Sequence, residues 1–126
     1  MPTRYRDALA IQCEGRLTLT RHPDGCVLVY PRPTWESKRE EVIRLPQSVR
    51  PLQRVLLGSA IDTDMDSAGR VLVAPELRSI TGIERDVLLL GMGTHFELWD
   101  YERQRQHEAE HLAAAMTGDA AADFTF

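Results

Sequence analysis

The sequence predicts an α+β protein made of two tandem copies of a short β-hairpin that leads into a helix. Three observations carry that expectation: short apolar runs broken by glycine turns, the recurrence of the same order of runs in both halves, and a polar segment of helical spacing after each copy. With 126 residues and 43% hydrophobic content, the chain has material for one compact core or two small ones. It is too short for separate substrate and cofactor domains, which removes most enzyme architectures.

The first copy runs from Arg6 to Pro33. Leu17 to Thr20 reads as a strand, Gly25 marks the turn, and Val27 to Tyr30 reads as a second strand ending in an aromatic. The second copy, Arg78 to Tyr101, repeats this as Val87 to Leu90, Gly93, and Phe96 to Trp99. Helical segments follow both, with Thr34 and Asp100 as the expected N-caps. A unit this small cannot bury its own apolar face, so the copies are expected to pack on each other or on another subunit. The expected division is a first unit at 1–34, a helical linker at 35–59, a second unit at 60–103, and a C-terminal helix with a frayed tail at 104–126. In the linker, Pro46 and Pro51 separate two helical stretches. Their apolar stripes, Val42, Ile43 and Leu45 in one and Leu52, Val55 and Leu56 in the other, are expected to pack between units or subunits. Trp35 and Trp99 read as core anchors.

Aligning Arg78 with Arg6 sets Val73 against Met1, so the stretch from Ala60 to Leu72 has no counterpart in the first copy. The first copy is therefore expected to lack an opening strand and turn, through a start placed too late or a true truncation; a repeat that is simply asymmetric is the alternative. The unmatched stretch is also the most distinctive in the chain. Asp66, Ser67, Ala68, Gly69 and Arg70 read as a tight turn in which Gly69 is free to take positive φ and Arg70 projects from the exit. Val71 to Val73 is expected as a short strand, and Pro75 as the start of a turn or short helix, which holds Arg70 and Arg78 near a surface loop.

Charge is distributed unevenly. The formal net charge is −4, yet residues 1–58 sum to +4 and residues 59–126 to −8. Fourteen of the fifteen basic residues are arginine, whose planar fork pairs bidentately with phosphate or guanine, although a compositional bias in a GC-rich genome gives the same count. Composition thus leaves nucleic-acid binding open. Cys13 and Cys26 are too few for a disulfide framework or a four-cysteine zinc site and are expected as small core side chains. No apolar run is long enough to span a bilayer, and the first ten residues lack the layout of a signal peptide, so a cytoplasmic protein is expected.

Three motifs imitate other chemistries. His107-Glu108-Ala109-Glu110-His111 has the spacing of a zinc-protease helix, the one feature that would support a metallopeptidase. Its flanks are polar rather than core-forming, and only Asp119 and Asp123 follow as further ligand types, so a solvated helix is the simpler account. Asp62, Asp64 and Asp66 resemble the start of an EF-hand loop, but Ser67 stands where glycine is needed and Val73 where glutamate is needed. Gly91 and Gly93 lack the third glycine of a dinucleotide fingerprint and fall in a hairpin turn. No nucleophile, base and acid constellation stands out, and the chain is read as a non-enzyme without cofactor.

Taken together, Asp66 to Arg70, Pro75 to Arg78, Gln53 to Gly58, Phe96 to Trp99 and Pro2 to Arg6 resemble the MraZ family over residues 1 to about 103. The resemblance implies two SpoVT/AbrB-type swapped-hairpin units with a pseudo-twofold, double-ψ-like β core. It implies a DNA-binding transcriptional regulator of the division and cell-wall gene cluster, usually a repressor that includes its own gene among its targets. Such proteins act on double-stranded DNA in the cytoplasm and nucleoid, as ring-like homo-oligomers on direct operator repeats, with no membrane or small-molecule partner. Linked units would turn weak single contacts into avidity. The family's DxxxR arginine falls on Arg70, with Asp66 holding the turn and Ser67 and Gly69 within it; Arg78, Arg4 and Arg6 are implied as supporting phosphate contacts. The family also has a DxKGR turn before the segment matching Pro2 to Arg6, and this chain begins after it. Its first unit is therefore expected to lack an equivalent of Arg70 and to leave a strand edge unpaired, with lower stability and weaker DNA affinity than a longer version. An AbrB-type antitoxin is the alternative, with one such unit and a toxin-binding tail; the tandem repeat counts against it. A net negative charge does not oppose DNA binding if the arginines gather on one rim of an assembly.

Overall fold

Leucine and threonine alternate through β1 (Arg16–Arg21), and apolar side chains fill β2 (Val27–Pro31), so the first hairpin can be covered on both faces. The computed structural model describes Pro2, Tyr5 and residues 14–125. Arg4, Arg6 and Cys13 lie outside the described residues. A turn closed by His22 N–H donating to the Cys26 carbonyl at 2.9 Å joins β1 to β2. Helix α1 (Arg32–Ile43) begins two residues before Thr34, with Pro31 at the N-cap and no side-chain cap. Thr34 is therefore not the cap; Pro33 already supplies helical φ in the first turn.

The linker forms a single 3₁₀ turn at Gln47–Val49 and then α2 (Arg50–Gly58), opened by Pro51. Gln53 closes α1 from α2: its Nε2 donates to the Val42 carbonyl at 2.9 Å and the Ile43 carbonyl at 3.1 Å, satisfying helix-end acceptors that would otherwise lack partners. Thr20 Oγ1 donates to the Leu56 carbonyl at 2.7 Å, so α2 lies on β1 as well as on α1. The chain then returns as β3 (Ile61–Asp64), which pairs antiparallel with the outer edge of β1. Residues 65–74 follow as a turn and an irregular segment. The strand expected at Val71 to Val73 does not form, and among the described residues no neighbouring strand offers it a ladder; its two valines nonetheless pack on the core. Helix α3 (Pro75–Thr81) ends on Gly82, whose φ of +72° gives the left-handed cap that only glycine adopts without cost.

The second hairpin, β4 (Val87–Gly91) and β5 (Phe96–Asp100), leads into α4 (Tyr101–Met116), and a short α5 (Asp119–Ala122) follows. Here the expected N-cap is present: Asp100 Oδ2 accepts from the Arg103 amide at 3.1 Å. All five strands form one antiparallel sheet in the order β3-β1-β2-β5-β4. The central pairing sets Val27 against Leu98, Leu28 against Glu97 and Val29 against Phe96. Leu28 and Glu97 hold matching places in the two hairpins, so a local twofold passes between them and exchanges β1–β2 with β4–β5.

One face of the sheet carries Leu17, Leu19, Val27 and Val29 and is closed by Leu77 and Ile83, with Met65, Val71 and Val73 around them. The other carries Cys26, Leu28, Tyr30 and Trp99 under Trp35, with Leu56 and Leu57 from α2. Both tryptophans are core anchors, as expected. Burial pushes the Cys26 thiol up to about 12, helped by the nearby Glu97 and Asp24 carboxylates, which leaves it a packing group rather than a nucleophile. Among the described residues no helix is long and apolar enough to cross a membrane.

Candidate nucleic-acid interface

The turn that follows β3 is held almost entirely by Asp66. Its Oδ1 accepts from the Ala68 amide at 2.9 Å and the Arg70 amide at 2.8 Å, while Oδ2 accepts from Arg70 Nε at 2.8 Å. The backbone closes the same loop, with Gly69 N–H donating to the Asp66 carbonyl and Asp66 N–H to the Arg70 carbonyl, both at 2.9 Å. Gly69 takes φ of +79°, as the turn required. The donated Arg70 amide is the main reason the Asp66 carboxyl sits below its ordinary value of 3.8, with the Arg70 side chain and the Ala68 amide adding to it. A depressed carboxyl of this kind helps hold the turn above the ordinary carboxylate range, and the help is lost as pH falls through the lowered value.

Arg70 is presented outward: its side chain is 81% exposed, and among the described residues only its Nε is engaged. The two terminal guanidinium nitrogens are thus outside the Asp66 contact, on a side chain that is mostly exposed above a turn whose position is set from below. On the entry side, Met65 N–H donates to the Gly15 carbonyl at 2.8 Å. On the exit side, Val71, Val73 and the buried Leu77 are anchored in the core. This is a rigid mount for an arginine fork, with exposed Ser67 at the tip.

Arg78 lies in the last turn of α3, exposed, with its carbonyl taken by the Ile83 amide at 3.1 Å. Arg70 and Arg78 are therefore joined by one anchored segment, but no contact between them is present. Sequence reasoning did not single out Arg85, exposed in the loop between α3 and β4, nor Arg103. Arg103 Nη1 donates to the Gly25 carbonyl at 3.3 Å and the Ile80 carbonyl at 3.2 Å, tying the first hairpin's turn to the end of α3. A long-range contact of this sort leaves no local sequence signal.

The zinc-like motif falls on α4. His107 packs against Trp99 with ring centroids 5.2 Å apart and against His111 at 4.3 Å, and its Nε2 lies 3.6 Å from Asp24 Oδ2 in the first hairpin's turn. Glu108 is exposed and accepts from Gln104 Nε2 at 3.2 Å. Among the described residues no group of three or more His, Cys, Asp or Glu side chains is arranged to hold a metal ion.

Residues 56–126 match the family described as "MraZ protein, putative antitoxin-like". Similar proteins include those named Transcriptional regulator MraZ from Bordetella pertussis (60% identical), Herminiimonas arsenicoxydans (55%) and Acidovorax sp. (52%). Each match spans 100% of this chain and 88% of the relative. The Asp66 to Arg70 turn, the duplicated hairpins and these matches lead to one conclusion: the chain belongs to the MraZ family.

Proposed function

We propose that the chain is a sequence-specific DNA-binding transcriptional regulator, acting as a repressor on direct repeats upstream of a division and cell-wall gene cluster that includes its own gene. The observation that carries this reading is the Asp66 to Arg70 turn, where a carboxylate spends three hydrogen bonds on fixing a turn and an outward arginine. An arginine held by Nε alone keeps Nη1 and Nη2 for O6 and N7 of a guanine in the major groove or for a phosphate. Ser67 and the turn backbone stand where they set register, while Arg78 and Arg85 supply phosphate contacts. The regulatory names of relatives up to 60% identical support the same reading. The two hairpin units serve as the two SpoVT/AbrB-type domains. The pairing of β3 with β1, the strand of the other hairpin, favours the swapped arrangement. One unit makes few contacts, so the active form is a homo-oligomer, ring-like, whose repeats match those of the operator. It works in the cytoplasm, on the nucleoid.

Fluorescence anisotropy with a duplex from upstream of the gene, titrated at several salt concentrations, tests this reading. Arg70→Ala is expected to weaken binding about 10- to 100-fold for each engaged turn and to flatten the preference for the operator over scrambled DNA. Arg78→Ala is expected to weaken both duplexes alike and to lower the salt dependence by about one ion. Unchanged affinity and preference in Arg70→Ala would refute the assignment.

A further inference from the structure

Between Glu41 and Asp62 the chain carries three arginines, Arg44, Arg50 and Arg54, and no aspartate or glutamate, a stretch of one sign inside a protein of net charge −4. It falls on the corner where α1 ends, the 3₁₀ turn follows and α2 begins, and all three arginines are exposed. Arg16, Arg32 and Arg39 each face a carboxylate. Among the described residues, no carboxylate lies within ion-pair distance of Arg44, Arg50 or Arg54.

The corner is held from inside by Gln53, which is buried. Its Oε1 accepts from Arg50 Nη1 at 2.6 Å while its Nε2 donates to the Val42 and Ile43 carbonyls, so Arg50 is fixed beside the last turn of α1, next to Arg44 at that helix's C-cap. Arg54 follows Arg50 by four residues and stands one turn along the same face of α2, about 6 Å further. In the chain alone this gathering is unfavourable. Like charges four residues apart on a helix repel, and Arg50, the first residue of α2, sits at the positive end of its dipole with no acidic residue in the first turn. A bound anion offsets both.

The chemistry of the corner selects among anions. Arginine forks pair bidentately with phosphate oxygens, and two forks about 6 Å apart on one helix can meet neighbouring phosphates of one strand. A lipid surface asks for exposed apolar side chains beside the cations. Here Val42 is buried and Leu56 and Leu57 pack toward the sheet, which leaves Ile43, 43% exposed, as the large apolar side chain most open at the corner among the described residues. We propose that the corner between α1 and α2 is a second, sequence-independent contact for DNA phosphates, made by Arg44, Arg50 and Arg54. It rests on the DNA-binding reading above but lies apart from the Asp66 to Arg70 turn. Arg32, at the far end of α1, braces β3 just ahead of that turn, and the 12 residues of α1, about 18 Å of helix, separate it from Arg44. The turn reads sequence, and the corner adds affinity without preference.

The test titrates the full chain against the upstream duplex and a scrambled one at several salt concentrations. Replacing Arg44, Arg50 and Arg54 together by Gln is expected to weaken both duplexes by the same factor, about 10-fold or more, and to lower the salt dependence by about two to three ions, with the preference for the upstream duplex intact. Because Arg50 also bonds Gln53, the pair Arg44→Gln and Arg54→Gln is measured beside it and is expected to show about two thirds of the change in salt dependence with unchanged circular dichroism. Arg39→Gln, on α1 but already facing Glu40, is expected to change neither quantity. If Arg70→Ala weakens binding while both corner variants bind with unchanged affinity and salt dependence, the corner proposal falls and the DNA-binding reading stands. If the unaltered chain binds neither duplex, both fall. Loss of preference in the corner variants would make the corner a reader of sequence and overturn the proposal. So would corner variants that bind both duplexes normally but lose binding to phosphatidylglycerol vesicles, which would assign the arginines to a membrane surface.

Discussion

The two hairpins have the same order of elements and the same strand register, yet one is buried and the other half open. β1 and β2 are covered along almost their full length, whereas in β4 and β5 only Trp99 is buried. The difference runs against composition: Val-Leu-Leu-Leu-Gly is more apolar than Arg-Leu-Thr-Leu-Thr-Arg, and it is the more exposed of the two. What decides burial is the traffic across each hairpin. β3 takes one edge of the first, α2 lies over one face, and residues 65–83 close the other. The sharpest way to break this comparison is to cut the same side chain from both strands. Leu17→Ala is expected to cost about 3 kcal/mol, since Leu17 is fully buried, and Leu89→Ala less than about 1.5 kcal/mol, because its surroundings are already open. Urea unfolding of the two variants measures this. Equal losses would mean that the second hairpin is as tightly packed as the first.

Arg32 provides the next contrast. It follows β2 directly, and its Nη2 donates to the Leu17 carbonyl at 2.8 Å and the Thr63 carbonyl at 2.9 Å, bracing β3 against β1. Its Nε is buried without a hydrogen bond, 3.8 Å from Asp62 Oδ1, so the charge is held by proximity to Asp62 and Asp64. The matching residue after β5 is Tyr101, whose hydroxyl only accepts from Arg105 Nη1 at 3.3 Å. Arg32→Leu removes the brace and leaves two inward carbonyls short of a donor, with an expected cost of about 2 kcal/mol. Arg32→Lys should recover only part of it, because a single ammonium cannot reproduce the planar fork. Faster amide exchange in β3 than in β2 is the local signature. A loss spread evenly over the sheet would show that Arg32 acts through general packing instead.

These contrasts separate what was legible in the sequence from what was not. The hairpin strand and turn positions followed from short apolar runs and glycine turns, which are local. The Asp66 to Arg70 turn was equally legible, because an aspartate two and four residues before the amides that donate to it, with glycine between, specifies its own hydrogen bonds. The start of α1 was misplaced at Thr34, where a capping residue type competed with Pro33, and the ring constraint of proline prevailed. Val71 to Val73 shows the limit of a local reading: the expected strand is absent although both valines pack on the core, because a strand also needs a neighbour, and that is a property of topology. The pairing of β3 with β1 and the bridge from Arg103 to Gly25 and Ile80 join residues far apart in the chain, so no window of sequence contains them.

The smallest expected effect concerns how each hairpin hands over to its helix. α1 starts without a side-chain cap and relies on Pro33 at one end and on Gln53 at the other. α4 has Asp100 at its start, but no residue along it is buried, and its last turn carries no basic residue. Its attachment is concentrated near the beginning, through Arg103 and the packing of His107 on Trp99. Loss of the cap should therefore be felt mainly within α4. Asp100→Ala frees the Arg103 amide and is expected to cost about 1 kcal/mol, and Asp100→Asn, which keeps the acceptor, little of that. Because α4 contributes little buried surface, the loss should appear as faster amide exchange over the first turns of α4, with only a small change in the global unfolding midpoint. If Asp100→Ala instead lowers the global midpoint as much as Arg32→Leu does, α4 is a full partner in the core and the two hairpins are more alike than their burial suggests.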